Sequence, residues 1–442
     1  MEVYGIMKMI YTFSGGLNMN TKNLSHGLKV CYHKTTQFKT SVVSLNIITP
    51  LDSKASHKAL LIHLLARTNK DYPTITEMNR KLASLYGAVI TPSVQKIGES
   101  QVLTLSLICI DERFALNKEQ VLSDGVKLLL DCLFTPDITP KGFKEENMVR
   151  EKRLLCEKID SENDDKIHYA YKRMIEEMCC DENYGISELG TKDAINNLTG
   201  EDVFAVWKQL LLFSQMQINV TGNFSETVIE DTVEGYFEKL DRKKDDIIEV
   251  HTEFITESYG SKTVTEKQKV QQGKLVIGIR AGMTYDMDNF AAIKVMTAIF
   301  GSGTFSKLFT NVREKMSLCY YCSARLVANK GIIAVQSGVE TENIDKALEA
   351  IRHELDEVRA GNFTDEDIKA AKLSLKDSYS SVSDSVMTIN SWFTSQCLSG
   401  EFLTPEDYIG MIENVSREEI IVAANMVTED TVYILESEKE EE

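Results

Sequence analysis

Apolar and polar residues follow the same succession of patterns twice along the chain. In the first half, a strand-type run rich in Val and Ile at Ser41–Ile48 precedes an apolar helical stretch at Ser56–Ala66. A helix that ends in Leu82–Gly87 and a second strand-type run at Gln101–Ile110 follow. The pattern predicts the order strand, helix, helix, strand.

The second half repeats this order. A strand-type run occupies Lys274–Ile279, helical patterns follow at Asn289–Phe300 and Phe305–Lys315, and a strand-type run occupies Gly331–Val339. The two strand-type runs begin at residues 41 and 101 in one half and at 274 and 331 in the other. Such similar spacing predicts two copies of one structural unit.

Further helices match between the halves. Phe143 opens a long charged helix in the first half, and Phe363 opens one in the second. Four tetrads combine a hydroxyl residue with an acid three positions later, which predicts a capped helix start. These tetrads are Thr74–Glu77, Thr199–Asp202, Thr404–Asp407 and Ser416–Glu419.

The repeat defines the predicted organisation. Residues 239–269 have little apolar periodicity and are predicted to be a linker. We expect an N-terminal extension at 1–20, a first domain at 21–238, a second domain at 270–436 and an acidic tail at 437–442. The predicted fold class is α+β, with two homologous domains that each contain a mainly antiparallel sheet with helices packed on one face.

Composition excludes several classes of function. The formal net charge of −18 argues against a nucleic-acid partner, because such a surface repels phosphate. No apolar run is long enough to predict a membrane-spanning helix. Met1–Asn20 lacks a basic start followed by a sustained apolar stretch, so it is not expected to be a signal peptide.

The cysteines indicate a reducing compartment. Their number is nine and their positions form no disulfide framework, so we expect free thiols and a cytoplasmic protein. Cys319 and Cys322 form a Cys-x-x-Cys pair in a run that is typical of a strand. Residues three apart on a regular strand point to opposite faces, which predicts a structural role for this pair.

One segment of the second half resembles a known family. It runs from Gly301 to Tyr320 and combines a glycine-rich turn, a Ser-x-Leu helix and the sequence Arg-Glu-Lys-x-x-Leu-x-Tyr. Together with the duplicated layout and the opening Leu24–Val30, it resembles the M16 metallopeptidases, which include insulinase and the mitochondrial processing peptidase. The resemblance implies a LuxS/MPP-like metallohydrolase fold, and the chain is similar to bacterial zinc-protease-like proteins that are encoded in pairs.

The resemblance implies roles for two residues. In the family, the matching arginine and tyrosine contact the bound peptide and polarise its scissile carbonyl, which assigns these roles to Arg313 and Tyr320. A guanidinium and a phenol can both donate hydrogen bonds to a carbonyl oxygen that gains negative charge. Without the resemblance, Arg313 would be interpreted as a helix-end residue and Tyr320 as a packed strand residue.

The zinc motif of the family is degenerate here. Active members carry His-x-x-Glu-His, in which two histidines bind zinc and the glutamate acts as general base. The matching positions hold Ala59, Ile62 and His63, so only the last histidine remains. At the distal ligand position the best register places Lys158, although Glu157 lies one residue away and the register stays open.

Other histidines do not replace the motif. His57 is six residues from His63, which places the two on different sides of a helix. The pair His353–Glu354 is expected on the solvated face of a late helix. We therefore expect no zinc or other cofactor in this chain.

Three functions remain open at this point. In the first, the chain is a non-catalytic, peptide-binding subunit whose partner, an M16-type chain with an intact His-x-x-Glu-His, supplies zinc and the general base. In the second, it is a peptide-binding or scaffold protein of M16 fold with no hydrolytic role. In the third, it is a peptidase with a metal site that the sequence does not show.

Overall fold

The computed structural model describes residues 17, 19–283, 289–399 and 402–438. Of the predicted extension 1–20, only residues 17, 19 and 20 are described, and of the predicted tail only 437 and 438. The rest of both segments lies outside the described residues.

The first half forms a six-stranded sheet, counted over the described residues, in the order β1-β2-β8-β3-β5-β4. Neighbours pair antiparallel except β2 and β8, which are parallel. Two short strands, β6 and β7, form a separate hairpin. The bounds are β1 (Met19–Asn23), β2 (Leu28–Lys34), β3 (Thr40–Pro50), β4 (Val89–Ile97), β5 (Ser100–Ile110), β6 (Ile138–Thr139), β7 (Gly142–Phe143) and β8 (Gln215–Gly222).

The second half forms a five-stranded sheet within the same described ranges, in the order β11-β12-β10-β13-β9. Its pairs are antiparallel except β13 with β9. The bounds are β9 (Lys262–Gln268), β10 (Gly273–Arg280), β11 (Cys319–Val327), β12 (Ile332–Val339) and β13 (Thr428–Ser437). The arrangement repeats the central antiparallel strands of the first sheet.

The helices of the first half are α1 (Ala55–Leu65), α2 (Ile75–Ser84), α3 (Val121–Phe134), α4 (Glu145–Asp164), α5 (Lys166–Met178), α6 (Lys192–Asn197), α7 (Gly200–Phe213) and α8 (Glu226–Phe237). Those of the second half are α9 (Phe290–Gly301), a π-helix (Leu308–Lys315), α10 (Ile344–Arg359), α11 (Asp365–Ser380), α12 (Val386–Ser395), α13 (Pro405–Glu413) and α14 (Arg417–Met426). No helix in the described part of the chain is both long and apolar enough to cross a bilayer.

The α+β fold class with antiparallel-rich sheets is confirmed. The predicted strand at Ser41–Ile48 lies within β3, and the predicted helix at Ser56–Ala66 overlaps α1 almost entirely. All four predicted tetrads form capping boxes, in which the hydroxyl accepts from the backbone N–H of the acid and the acid accepts from the cap backbone. Local hydrogen bonding therefore sets these helix starts as the sequence indicates.

Two helices pack against the sheet of the opposite half. Met174 and Met178 of α5 pack in one apolar cluster with Val276 and Tyr433 of the second sheet. Conversely, α12 packs on β3 and β8 of the first sheet. Because each sheet already buries its other face against helices of its own half, these two helices join the halves.

The segment predicted as linker contains one strand. β9 lies inside residues 239–269, where the pattern predicts no regular element. Its side chains are largely exposed and polar, so it gives no apolar signal, and the parallel pairing with β13 holds it through the backbone.

Candidate functional site

The histidine left from the zinc motif lines a small cavity in the first half. His63 lies in the last turn of α1 and faces a cavity of about 250 Å³. Residues of α2, of the edge strand β4 and of α4 complete its walls. The helix predicted to carry the degenerate motif therefore borders a pocket.

The structure resolves which residue of α4 faces His63. Lys158 lines the same cavity and its charge acts on the imidazole. Glu157 instead accepts from Arg153 at 2.7 Å in an exposed pair one helical turn apart. Of these two residues, the one that faces His63 thus carries an ammonium group and not a carboxylate.

Two further charged residues shape this cavity. Glu151 of α4 is buried, and its carboxylate lies 2.7 Å from the guanidinium of Arg67 and 3.5 Å from that of Arg150. Burial, together with the charges of Lys158 and Arg67, lowers the pKa of His63 to about 4. The imidazole is therefore neutral at pH 7, and its buried Nε2 has no hydrogen-bond partner among the described residues.

These residues do not fit a zinc ion. Ala59 and Ile62 are fully buried and offer no donor atom. The one carboxylate of the cavity, Glu151, is paired with arginine, and Lys158 adds a positive charge that repels a divalent cation. Among the described residues, no group of three or more His, Cys, Asp or Glu side chains is arranged to hold a metal ion.

Arg313 lies on the π-helix that precedes β11. Its guanidinium stacks 4.5 Å from the ring centre of Phe309 and lies 3.6 Å from a carboxylate oxygen of Glu314. The side chain is 38% exposed, so its donors remain accessible to a ligand. The π-helix places this arginine just before a turn at Ser317, whose φ is +54°.

Tyr320 lies at the start of β11 and is 63% exposed. Its hydroxyl donates to the carboxylate of Glu340 at 2.8 Å, beyond the end of β12. Arg313 and Tyr320 form no hydrogen bond with one another among the described residues, and Tyr320 lies on β11, an edge strand of the second sheet.

Comparisons with known proteins agree with this architecture. A probable inactive metalloprotease of Bacillus subtilis, YmfF, is 30% identical over 415 residues, which cover 94% of this chain and 97% of that protein. Residues 197–375 match the family model described as the peptidase M16 inactive domain. The chain belongs to the peptidase M16 family.

Solved structures share the M16 fold over nearly the whole chain. A conserved protein from Enterococcus faecalis has a TM-score of 0.87 and 26% identity, and the match covers 96% of this chain and all of that one. A peptidase M16 inactive domain from Pseudomonas fluorescens has a TM-score of 0.77 at 16% identity, with 96% and 98% covered. The second likeness shows the fold alone.

Two sequence-based expectations about this M16 chain are wrong. Glu354 is buried rather than solvated, because its carboxylate accepts from Asn311 of the π-helix at 2.8 Å. Cys319 and Cys322 do not point to opposite faces, because a bulge in β11 shifts the register between them. Both side chains therefore lie on the same face of β11.

Sequence reasoning did not name Arg67 or Glu151. The spacing of both residues could have identified them. Arg67 follows His63 by four residues, about one helical turn, and Glu151 precedes Lys158 by seven residues, about two turns, so each pair lies on one side of a helical path. His57 was rightly separated from His63, because it lines a different cavity together with Asp202.

Proposed function

We propose that this chain is the non-catalytic, peptide-binding subunit of a heterodimeric M16-type peptidase. A partner chain with an intact His-x-x-Glu-His would supply zinc and the general base, and this chain would supply the substrate-side donors. The observation that carries the proposal is Lys158 beside His63, where a metal site needs a carboxylate. We further propose that the complex is cytoplasmic, in keeping with nine free cysteines.

The charges around His63 support a chain that does not bind metal itself. Two arginines and one lysine surround a single carboxylate there. A net positive cavity disfavours a divalent cation, and the neutral imidazole alone offers one donor. Hydrolysis would then depend on groups from another subunit.

The Arg313 and Tyr320 side chains support a role towards a peptide. A phenol and a guanidinium donate in directions that can stabilise negative charge on a carbonyl oxygen. Neither group is tied into a buried ion pair, since the partners of both are exposed side chains. Each can exchange its present contact for a substrate oxygen at low cost.

The edge of the second sheet supports binding of an extended peptide. Among the described strands, β11 has a neighbour on one side only, so one row of its backbone groups is free of strand pairing. An extended peptide can add to such an edge through main-chain hydrogen bonds. Tyr320 lies on this strand, so a peptide there would pass its hydroxyl.

One observation favours the alternative of a scaffold protein without a hydrolytic role. The Tyr320 hydroxyl already donates to Glu340, and the Arg313 guanidinium already stacks on Phe309. The Tyr320 hydroxyl thus has a hydrogen-bond acceptor within the chain, and the Arg313 guanidinium packs on a ring of its own helix. Under this alternative, the mixture does not cleave peptide, and removal of either side chain leaves peptide binding unchanged.

Reconstitution with a zinc-motif M16 chain from the same genome tests the proposal. The mixture should cleave an extended fluorogenic peptide that neither chain cleaves alone. Arg313→Ala and Tyr320→Phe should each lower kcat/KM of the mixture by about 100-fold, since removing one donor to a developing oxyanion has an effect of this size.

Matched variants control this experiment. Arg352 forms an exposed pair with Glu429, and Tyr259 is fully exposed, so Arg352→Ala and Tyr259→Phe should leave the rate unchanged. If the mixture hydrolyses peptide equally well with Arg313→Ala, the shared-site idea is wrong. If the mixture assembles and binds peptide but never cleaves it, the scaffold alternative is favoured.

A further inference from the structure

The bulge at the start of β11 brings two cysteines to one face. Cys319 lies opposite Val339 of β12, Tyr321 opposite Gly338 and Cys322 opposite Ser337. Tyr320 is therefore the extra residue of the bulge. Because Val339 and Ser337 are two apart on a strand, the cysteines opposite them point to the same side.

The spacing suits a bond between the two sulfurs. Residues opposite positions two apart on the neighbouring strand have Cα atoms about 6 to 7 Å apart. Disulfides span Cα separations of roughly 4.4 to 6.8 Å, so a small tightening of the bulge suffices. On a regular strand, the two cysteines of a Cys-x-x-Cys sequence point to opposite faces and could not form a disulfide.

The two thiols differ in environment. Cys322 is 4% exposed, whereas Cys319 is partly exposed. The hydrogen bond from Cys322, aided by the Ser337 hydroxyl and the charge of Arg313, lowers the pKa of Cys319 to about 7 against the opposing effect of burial. Burial raises the pKa of Cys31 and Cys132 to about 12. Cys319 is thus accessible to an oxidant and partly ionised at pH 7. Cys322 lies on the same face, where its sulfur can attack an oxidised Cys319.

We propose that Cys319 and Cys322 form a reversible redox pair, which hydroperoxides convert into an intrachain disulfide across the bulge at Tyr320. This modification site is independent of the proposed peptidase role. Because Tyr320 is the bulged residue, closure of the disulfide changes the backbone that presents its side chain.

The chemistry balances in two steps. The Cys319 thiolate attacks one oxygen of hydrogen peroxide, an S–O bond forms, the O–O bond breaks, and hydroxide leaves and is protonated to water. The Cys322 sulfur then attacks the Cys319 sulfenic acid, the S–S bond forms, the S–O bond breaks, and the departing hydroxide takes the Cys322 proton. Two thiols and one peroxide give one disulfide and two waters, and a dithiol reductant reverses the change.

Mass spectrometry of the full-length chain tests the proposal directly. Trypsin releases Met316–Arg325, which contains both cysteines and no other. After one equivalent of hydrogen peroxide at pH 7 and alkylation, this peptide should be lighter by two hydrogens and carry no alkyl group. Dithiothreitol before alkylation should restore two alkylated cysteines.

The free synthetic peptide Met316–Arg325 is the matched control, because it has the sequence without the bulge. At pH 7 the folded chain should react with peroxide about 10-fold faster, since a pKa near 7 leaves far more thiolate than the usual value of about 8.5. In Cys322→Ser, dimedone should trap the Cys319 sulfenic acid, while Cys180→Ser should leave the disulfide yield unchanged.

Two results would overturn the proposal. One is recovery of the peptide with both cysteines alkylated after peroxide has oxidised the exposed Cys180. The other is oxidation of the folded chain no faster than that of the free peptide. Both readouts use the wild-type chain, so they do not depend on whether a variant folds.

Discussion

At the residue scale, the cavity beside His63 differs from a metal site in a few side chains. Lys158 faces the same cavity as His63, and Ala59 and Ile62 of the same helix offer no ligand atom. Glu151 remains as the one acid, and arginine neutralises it. The charges that surround His63 therefore repel a divalent cation.

The titration of His63 follows from this environment. Its pKa is about 4 in the folded chain and about 6.5 in an unfolded one, so between these values the unfolded state binds more protons. The free energy of unfolding should therefore rise with pH from 4 to 6.5, by about 2 to 3 kcal/mol from this group. Comparison with His63→Gln by urea unfolding at each pH isolates the contribution.

An independent readout of the same group is NMR of the imidazole. The expected midpoint lies near 4, and Lys158→Met should raise it, because the lysine charge disfavours the imidazolium. Lys152→Met, on the same helix but bonded to the carbonyl of Asn196, is the matched control. A wild-type midpoint at or above 6.5 would contradict the described cavity.

At the element scale, local chemistry decides what the sequence can predict. The capped helices and the strands β3, β5, β10 and β12 follow from hydrogen-bonding tetrads and apolar runs that act over a few residues. The sequence leaves the distal position open between Glu157 and Lys158, because only the packing of α4 beside α1 shows which of the two lines the cavity at His63.

The bulge in β11 is different. One extra residue reverses which face each side chain occupies, and nothing in the Leu318–Arg325 sequence marks Tyr320 as that residue. The register depends on pairing with β12, which is a tertiary contact. The prediction of opposite faces for Cys319 and Cys322 therefore failed for a physical reason.

A sequence pattern also does not predict that α5 and α12 pack against the sheet of the opposite half. An amphipathic helix shows that it buries one face, but not which sheet receives it. Ser44 and Asn219 of the first sheet bond with Asn390 of α12, and such polar partners carry no apolar period. The repeat predicts two similar halves, and the contacts that join them must be seen in the structure.

At the scale of the whole molecule, a buried ion cluster ties the halves together. Lys330 of the second half, which is fully buried, lies 2.6 Å from Glu99 and 2.7 Å from Glu182 of the first half. Glu182 also lies 2.7 Å from Arg280. Removing one member of such a cluster leaves buried charges without a partner.

Lys330→Met should accordingly destabilise the chain by about 3 to 5 kcal/mol, measured by urea unfolding at pH 7. The double variant Lys330→Met with Glu99→Gln should recover part of the loss, because one unpaired carboxylate is then removed. Lys376→Met, which breaks an exposed pair with Glu413, should lower the free energy of unfolding only slightly. A loss of that small size for Lys330→Met would show that the cluster does not hold the halves together.

The central claim is that this chain alone does not hold a hydrolytic metal ion. The most direct test is elemental analysis of the purified, isolated chain after equilibration with zinc and gel filtration. The account predicts only traces of zinc, with the same value for wild type and His63→Ala. One zinc per chain in the wild type, lost in His63→Ala, would contradict it.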